Sequence, residues 1–347
     1  MTASAQPPST AAAGRPLPAG VCVLGLGLIG GSLLRAADRH LPVSGWSPAD
    51  ATRQQAAAAG YQVHNRLEAA LEWADKADSL VVLAAPVTAF DGLLRKITRY
   101  SPQVLLTDVG GVKSPVAQKV SAIAPLTKYV GGHPMAGSAK SGFGAGSADL
   151  FSGTAWVTCL YSSSLLDAWD AVAGLAIAVG SRVVPCTAAD HDRAVARVSQ
   201  LPHLLALALA QVGAFGGPLA LSLAAGSFAD GTRVAATRPE LIRAMCETNR
   251  EALVDAFDDA LGILGVARGS LASTGSLQKA TDGGHQARLT YERRHDNLSA
   301  VELLDPTIDQ LVALGTAGGH VIDIRRDGST RTVVGSAPAG WRTDDGD

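Results

Sequence analysis

Three polar side chains and one glycine triplet are the parts of this 347-residue chain best suited to chemistry. His133 sits in Gly131-Gly132-His133-Pro134, a glycine-rich turn locked by a proline. A neutral imidazole held there can accept a proton near neutral pH. His203 ends Ser199-Gln200-Leu201-Pro202-His203, where Pro202 has no N–H for the carbonyl of Val198. The helix should therefore loosen by a turn beside that histidine. Arg233, in Gly226-Ser227-Phe228-Ala229-Asp230-Gly231-Thr232-Arg233, carries a guanidinium that can hold a carboxylate bidentately or pair with Asp230. Gly25-x-Gly27-x-x-Gly30 suits a phosphate cradle. Gly25 permits the tight turn, Gly27 lets a pyrophosphate approach bare backbone, and Gly30 lets a helix pack on the preceding strand.

The elements around these residues are legible from apolar patterning. Val21–Leu24 is a short buried strand, and Leu28, Ile29, Leu33, Leu34 and Ala37 continue at helical spacing. Strands follow at 42–47, 79–86, 104–109, 155–161 and 181–186, with helices at 49–60, 67–74, 90–100 and 165–179 between them. Continuous apolar runs such as Ser79–Pro86 fit strands buried on both faces of a parallel sheet. The alternation gives a doubly wound sheet whose ligands sit beyond the carboxyl ends of the strands. Past Ala188 helical patterning takes over, with helices at 189–213 and 239–264, a Gly/Ser/Thr-rich connection at 266–284 and a charged helix at 286–297. Residues 320–334 suggest a hairpin with a loop longer than two residues.

Composition excludes several classes. The formal net charge of −2 offers no global attraction to nucleic acid or an anionic membrane, so neither is expected as a partner. The four scattered cysteines suit buried apolar sites in a reducing compartment. No metal is expected, because the eight histidines lack H-E-x-x-H or comparable spacing. The first twenty residues, rich in Ala, Pro, Ser and Thr, read as a disordered tail without a signal-peptide core. No stretch reads as a membrane span, and a cytoplasmic location is expected.

The ordered set G-L-G-L-I-G-G-S (25–32), T-D-V-G-G-V-K (107–113), G-G-H-P-M-A-G (131–137), Asp149-Leu150-Phe151 and S-Q-L-P-H (199–203) resembles the prephenate/arogenate dehydrogenase family of tyrosine biosynthesis, over roughly residues 21–265. The resemblance implies an N-terminal Rossmann-like doubly wound sheet followed by an all-helical C-terminal dimerisation domain, in a homodimer. On this layout 1–20 is the tail, 21–187 the dinucleotide-binding domain, 188–318 the helical substrate and dimerisation domain, and 319–347 a hairpin with a loose end.

By the same resemblance the reaction is oxidative decarboxylation of prephenate, or of arogenate, with NAD or NADP. His133 is then the base, and His203, Arg233, Gly226 and Ser199 contact substrate. The cofactor set is Gly25, Gly27, Leu28, Ile29, Gly30, Ser47, Arg53, Pro86, Asp108 and Gly110. Ser47 stands where NAD-binding folds carry an Asp or Glu about 20 residues past the glycines. With Arg53 nearby, NADP and NAD both remain open. His191 is assigned nothing beyond a helix cap.

Two positions depart from the family pattern. Gly111 stands where many members have Ser, and Ala139 where many have Glu. Gln200 replaces a frequent His and is a candidate discriminator between the two substrates. These departures motivate a catalytically silent dinucleotide-binding regulator as the alternative, although a sensor has no need for His133, His203 and Arg233 together. A β-hydroxyacid dehydrogenase is disfavoured because its second domain relies on a lysine, and 189–213 has none.

Overall fold

The computed structural model describes residues 14–138 and 140–342. The elements of the first half are β1 (Val21–Leu24), α1 (Leu28–Ala37), β2 (Val43–Trp46), α2 (Asp50–Ala58), α3 (Leu67–Lys76), β3 (Leu80–Leu83), α4 (Phe90–Tyr100), β4 (Leu105–Asp108), α5 (Ser114–Ile123), β5 (Lys128–Pro134), β6 (Ala155–Cys159), α6 (Leu166–Ala178) and β7 (Arg182–Cys186). A helical run follows: α7 (Ala188–Val195), α8 (Leu201–Phe215), α9 (Gly217–Ser222), α10 (Gly226–Thr232), α11 (Pro239–Glu247), α12 (Arg250–Ser273) and α13 (Gln278–Glu292). The chain then returns as β8 (Leu298–Leu304), α14 (Ile308–Thr316), β9 (His320–Asp327) and β10 (Thr330–Pro338).

All ten strands form one sheet in the order β2-β1-β3-β4-β5-β6-β7-β9-β10-β8. Strands β2 to β5 are parallel, β5 and β6 antiparallel, β6 and β7 parallel, and β9, β10 and β8 close the far end as antiparallel neighbours. The continuous apolar runs are explained by two cores. Val21, Val23, Leu80 and Val82 enter one with Leu33, Leu34 and Trp169, while Cys22, Leu24, Val81 and Leu83 enter the other with Leu71, Phe90 and Ile97. Each strand alternates faces and finds apolar cover on both. The order reverses between β1 and β3, which opens the crevice where such sheets take ligands.

The doubly wound sheet and the helical segment are as the sequence indicates, but several limits move. Strand β8 and helix α14 fall in the stretch expected to be all-helical, yet β8 pairs with β10 and α14 packs on β7. The hairpin is part of the main sheet and turns through two residues, Gly328 and Ser329, because Asp327 pairs with Thr330 and Gly328 supplies a positive φ of 59°. Within the expected tail, residues 14–20 are fixed. Arg15 pairs with Asp323 at 3.0 Å and the Gly14 carbonyl accepts from Arg326 N–H. The end expected to be loose is held through Trp341, whose N–H bonds the Pro338 carbonyl. Residues 1–13 and 343–347 of the two tails lie outside the described residues.

Buried Arg331 on β10 pairs with Asp170 on α6 at 2.7 Å, tying the last strand to the sheet's own helix. The supposed connection at 266–284 is mostly helix, since α12 runs to Ser273. Gly269 on α12 and Gly283 and Gly284 on α13 face open space there and break nothing. The long helix expected from Pro239 is instead divided at Thr248-Asn249, where Asn249 leaves helical geometry to make side-chain bonds inside the molecule.

Helices α7 and α8 are joined by a π turn at Ala196–Gln200, the loosening foreseen from Pro202. Together Ala188–Phe215 are long and apolar enough, by length and composition only, to cross a membrane, contrary to the expectation that no stretch is. The N-terminal part of this helix carries Asp190, His191, Asp192 and Arg193, and its contacts run to α5 and α12.

Candidate active site

The glycine triplet behaves as its spacing requires. Gly25 has φ 111°, and a Cβ there would lie 2.6 Å from the Ala84 carbonyl oxygen at the end of β3. A Cβ on Gly30 would meet the Gly25 carbonyl at 1.9 Å, so only glycine lets α1 sit so close to β1. Around Gly27 nothing lies within 4 Å, and α1 has no side-chain cap and no acidic residue in its first turn. Its free N–H groups face open space, the arrangement a pyrophosphate needs. A cavity of about 880 Å³ runs from this turn past Ser47 and Arg53 to Pro86. Leu28 and Ile29 are half-buried at the first turn of α1.

Arg53 is largely committed. Its guanidinium donates to the carbonyls of Ser47 at 2.6 Å and Pro48 at 3.1 Å and pairs with Asp50 at 3.0 Å. It thereby fixes the turn that ends β2, and Asp50 is drawn to it while Ser47 lines the cavity.

Asp108 is not placed to touch a cofactor, contrary to the sequence reading. Its side chain and that of Lys113 are both 0% exposed, and the two form an ion pair. Asp108 also accepts from the Tyr129 hydroxyl at 2.6 Å and from Gly110 N–H at 2.7 Å. The Lys113 ammonium donates in addition to the Gly132 carbonyl at 2.6 Å. This buried charge cluster shapes the Gly110-Gly111 loop from below and ties it to the strand that carries His133. Burial, reinforced by the Asp108 charge, pushes the Tyr129 hydroxyl pKa well above its usual value, so it stays a donor.

His133 ends β5 beside that loop. A Cβ placed on Gly111 would lie 3.8 Å from both His133 Cε1 and Nε2, so this edge of the ring faces the loop. The opposite edge is held: His133 Nδ1 lies 2.8 Å from His191 Nε2, and His191 Nδ1 lies 2.8 Å from Asp192 Oδ1. Asp192 accepts from Lys113 N–H and Ser114 N–H, each at 2.8 Å, at the start of α5. Asn249 donates to the Asp192 carbonyl and to Gln200 Oε1, each at 2.8 Å. Burial, then the neighbouring His191 and Lys113, hold the His133 pKa well below 6.5 against the opposing pull of Asp192. Burial also lowers His191, against Asp192. For Asp192, burial acts upward, but the bonds from His191, Ser114 and Lys113 outweigh it and hold the carboxyl low. Both imidazoles are neutral at pH 7 and the carboxylate is charged.

His203 is half-buried one turn after the π segment, its Nδ1 bonded to the Ser199 carbonyl at 2.8 Å, which leaves Nε2 for another partner. Arg233 is exposed on a short 3-10 turn, Arg233–Ala236, that packs with α10 against α8, the helix of His203. Among the described residues it forms no ion pair with Asp230. Gly226 opens α10 and Ser199 lies in the π turn. Gln200 is not available as a substrate discriminator, because it is buried and its amide is used by the Met245 carbonyl and Asn249. Ala139 lies outside the described residues. His191, Asp192, Lys113 and Asn249 are the site residues that sequence reasoning missed. The one local clue to the first two is Thr187, whose hydroxyl accepts from Asp190 N–H and places a His-Asp pair in the first turn of α7.

Comparison with known proteins gives a consistent picture. Residues 31–184 match the family model described as prephenate dehydrogenase, nucleotide-binding domain, and 187–266 match the one described as prephenate dehydrogenase, dimerization domain. The chain is 30% identical over 291 residues to a cyclohexadienyl dehydrogenase of Zymomonas mobilis, covering 80% of this chain and 97% of that one. It is 29% identical to a prephenate dehydrogenase of Bacillus subtilis, covering 69% of this chain and 66%, just under two thirds, of that one. A crystal structure from Corynebacterium glutamicum, described as a candidate prephenate dehydrogenase, superposes with TM-score 0.77 and 44% identity, covering 80% of this chain and 90% of the other.

Proposed function

Because the chain belongs to the prephenate dehydrogenase family, we propose that it converts prephenate to 4-hydroxyphenylpyruvate and CO2 with NAD or NADP as hydride acceptor, as a cytoplasmic step of tyrosine biosynthesis. The observation that carries this reading is the placement of His133. One nitrogen of its ring is engaged with His191, and the other faces the Gly110-Gly111 loop that follows β4, two strands from β1 in the sheet.

The uncapped start of α1, open Gly27 and the cavity walled by Ser47 and Pro86 fit a dinucleotide. When bound, the nicotinamide supplies the acceptor for the hydride leaving C4 of the substrate ring. His133 Nε2 takes the proton of the C4 hydroxyl as the hydride departs, which leaves a dienone. Cleavage of the ring–carboxylate bond then releases CO2, and its electron pair makes the ring a phenolate. His133 returns the proton to that oxygen. Aromatisation drives the sequence, so the protein's task is orientation and proton handling, the latter typically worth ~100- to 10,000-fold. Arg233 holds a substrate carboxylate and His203 Nε2 orients the side chain, with Gly226 and Ser199 as the surrounding backbone.

Arogenate is the alternative substrate, favoured by the likeness to a cyclohexadienyl dehydrogenase. The homodimer expected of the family is supported by the exposed apolar side chains Val212, Phe215 (83% exposed), Leu219 and Leu261 on α8, α9 and α12.

The test is the rise of reduced-nicotinamide absorbance with prephenate or arogenate, each with NAD and NADP, beside His133→Ala. Turnover lost in the variant is the expected result. No turnover in any combination, with cofactor binding intact, overturns the reading in favour of a silent regulator.

A further inference from the structure

We propose that His191 and Asp192 are positioning residues that set the tautomer of His133, an inference that rests on His133 being the base. Three groups lie in line: Asp192 Oδ1, then His191 with Nδ1 at 2.8 Å from it, then His133 with Nδ1 at 2.8 Å from His191 Nε2. A carboxylate can only accept, so His191 carries its proton on Nδ1 and its Nε2 is a lone pair. That lone pair in turn requires the proton of His133 on Nδ1. His133 Nε2, the edge facing Gly111, is thereby left as the free acceptor, which is what a general base requires.

Asp192 cannot easily be swung out of this role. Lys113 N–H and Ser114 N–H grip its two oxygens, and Asn249 holds its own carbonyl. The direction of the chain of bonds is thus imposed from the backbone at the start of α5. His191 is 3% exposed, so water does not compete for either ring nitrogen. The side chains of Lys113 and Tyr129 do not compete for the ring nitrogens, since Lys113 is committed to Asp108 and the Gly132 carbonyl, and Tyr129 donates to Asp108; the Lys113 charge acts on the pair only by favouring the neutral imidazoles. When His133 Nε2 takes the substrate proton, the new positive charge is balanced through the two Nδ1–H bonds by the Asp192 carboxylate. That carboxylate stays ionised throughout, as the third member of such a series does.

The arrangement also joins the two halves of the molecule. His133 lies at the end of a sheet strand, whereas His191 and Asp192 open the helical segment. The base is therefore in its reactive tautomer only while α7 is seated on the sheet.

Two measurements test the proposal. In selectively ¹⁵N-histidine-labelled full-length protein at neutral pH, with His133→Ala and His191→Leu used for assignment, both rings are expected as the Nδ1–H tautomer. Imidazoles in water favour the other form. In kinetics, His191→Leu is expected to lower kcat at least ~10-fold with KM for substrate changed less than about threefold. His191→Gln, whose carbonyl can accept the same Nδ1 proton, is expected to recover most of that loss. An Nε2–H tautomer at His133, or equal turnover in the Gln and Leu variants, overturns the relay. In either case an inactive His133→Ala leaves the base assignment standing. An active His133→Ala removes the base assignment and with it the inference.

Discussion

Replacing Lys113 by Met is the sharpest perturbation of the site's foundation. Lys113 and Asp108 are both 0% exposed, and the substitution leaves the carboxylate with the Tyr129 hydroxyl, the Gly110 N–H and a longer bond from the Gly132 N–H but no positive charge. Breaking one side of a buried pair costs about 3–5 kcal/mol. The expected loss is therefore about 3–5 kcal/mol. At about 2–4 °C per kcal/mol, Tm falls by roughly 6–20 °C. Lys113→Met with Asp108→Asn removes both charges and is expected to be milder than the single change, since nothing charged is stranded. Urea and thermal unfolding of the wild type and the two variants at pH 7 provide the assay. A single-variant loss under about 1 kcal/mol, or a double variant no more stable than the single, refutes the reasoning.

Gly111→Ser is expected to fold normally, because its Cβ makes ordinary contact at 3.8 Å with His133, and to raise turnover by about 2- to 10-fold through a hydrogen bond to the reacting hydroxyl. A fall in kcat counts against the placement of that hydroxyl. Ser47→Asp adds a carboxylate to the wall of the proposed cofactor cavity and is expected to shift preference from NADP toward NAD by at least about tenfold, read from the ratio of kcat/KM values. An unchanged ratio removes Ser47 from the cofactor site. Phe215→Glu is expected to convert the proposed dimer into monomer in analytical ultracentrifugation, and a persistent dimer places the interface elsewhere. His133 and His191 are held below 6.5 in the folded chain, so the unfolded chain binds their protons first. Their neutral forms cost nothing above that pH, and stability falls as pH drops from 6.5 toward the lowered values. A melting temperature flat from pH 7 to 5 contradicts the buried, neutral state.

The strands and the cofactor cradle were legible because their causes are local. Val21–Leu24 and Leu80–Leu83 must be apolar at every position to satisfy two cores, and Gly25 and Gly30 are dictated by contacts under 3 Å. His133 stood out by its glycine and proline neighbours. His191 did not, because its meaning lies in a partner 58 residues away. Lys113 and Asp108 were visible as a motif, yet nothing in their order says that both are sealed from solvent. Glycines at 269, 283 and 284 misled in the other direction, suggesting a linker where an exposed helical face tolerates them. Strand β8 was hidden because only the company of β10, more than 25 residues later, makes Leu298–Leu304 extended.

The sheet also determines how the helical segment can move. The chain leaves for the helices after Cys186 and comes back at Leu298, and the alternating directions of β7, β9, β10 and β8 put those two points on the same edge. Three strand spacings of about 4.8 Å separate them, roughly 14 Å in all. The helical segment is thus anchored to the sheet at two points on one edge, and the bonds from His191 to His133 and from Lys113 and Ser114 to Asp192 hold its first helix against the sheet's own elements.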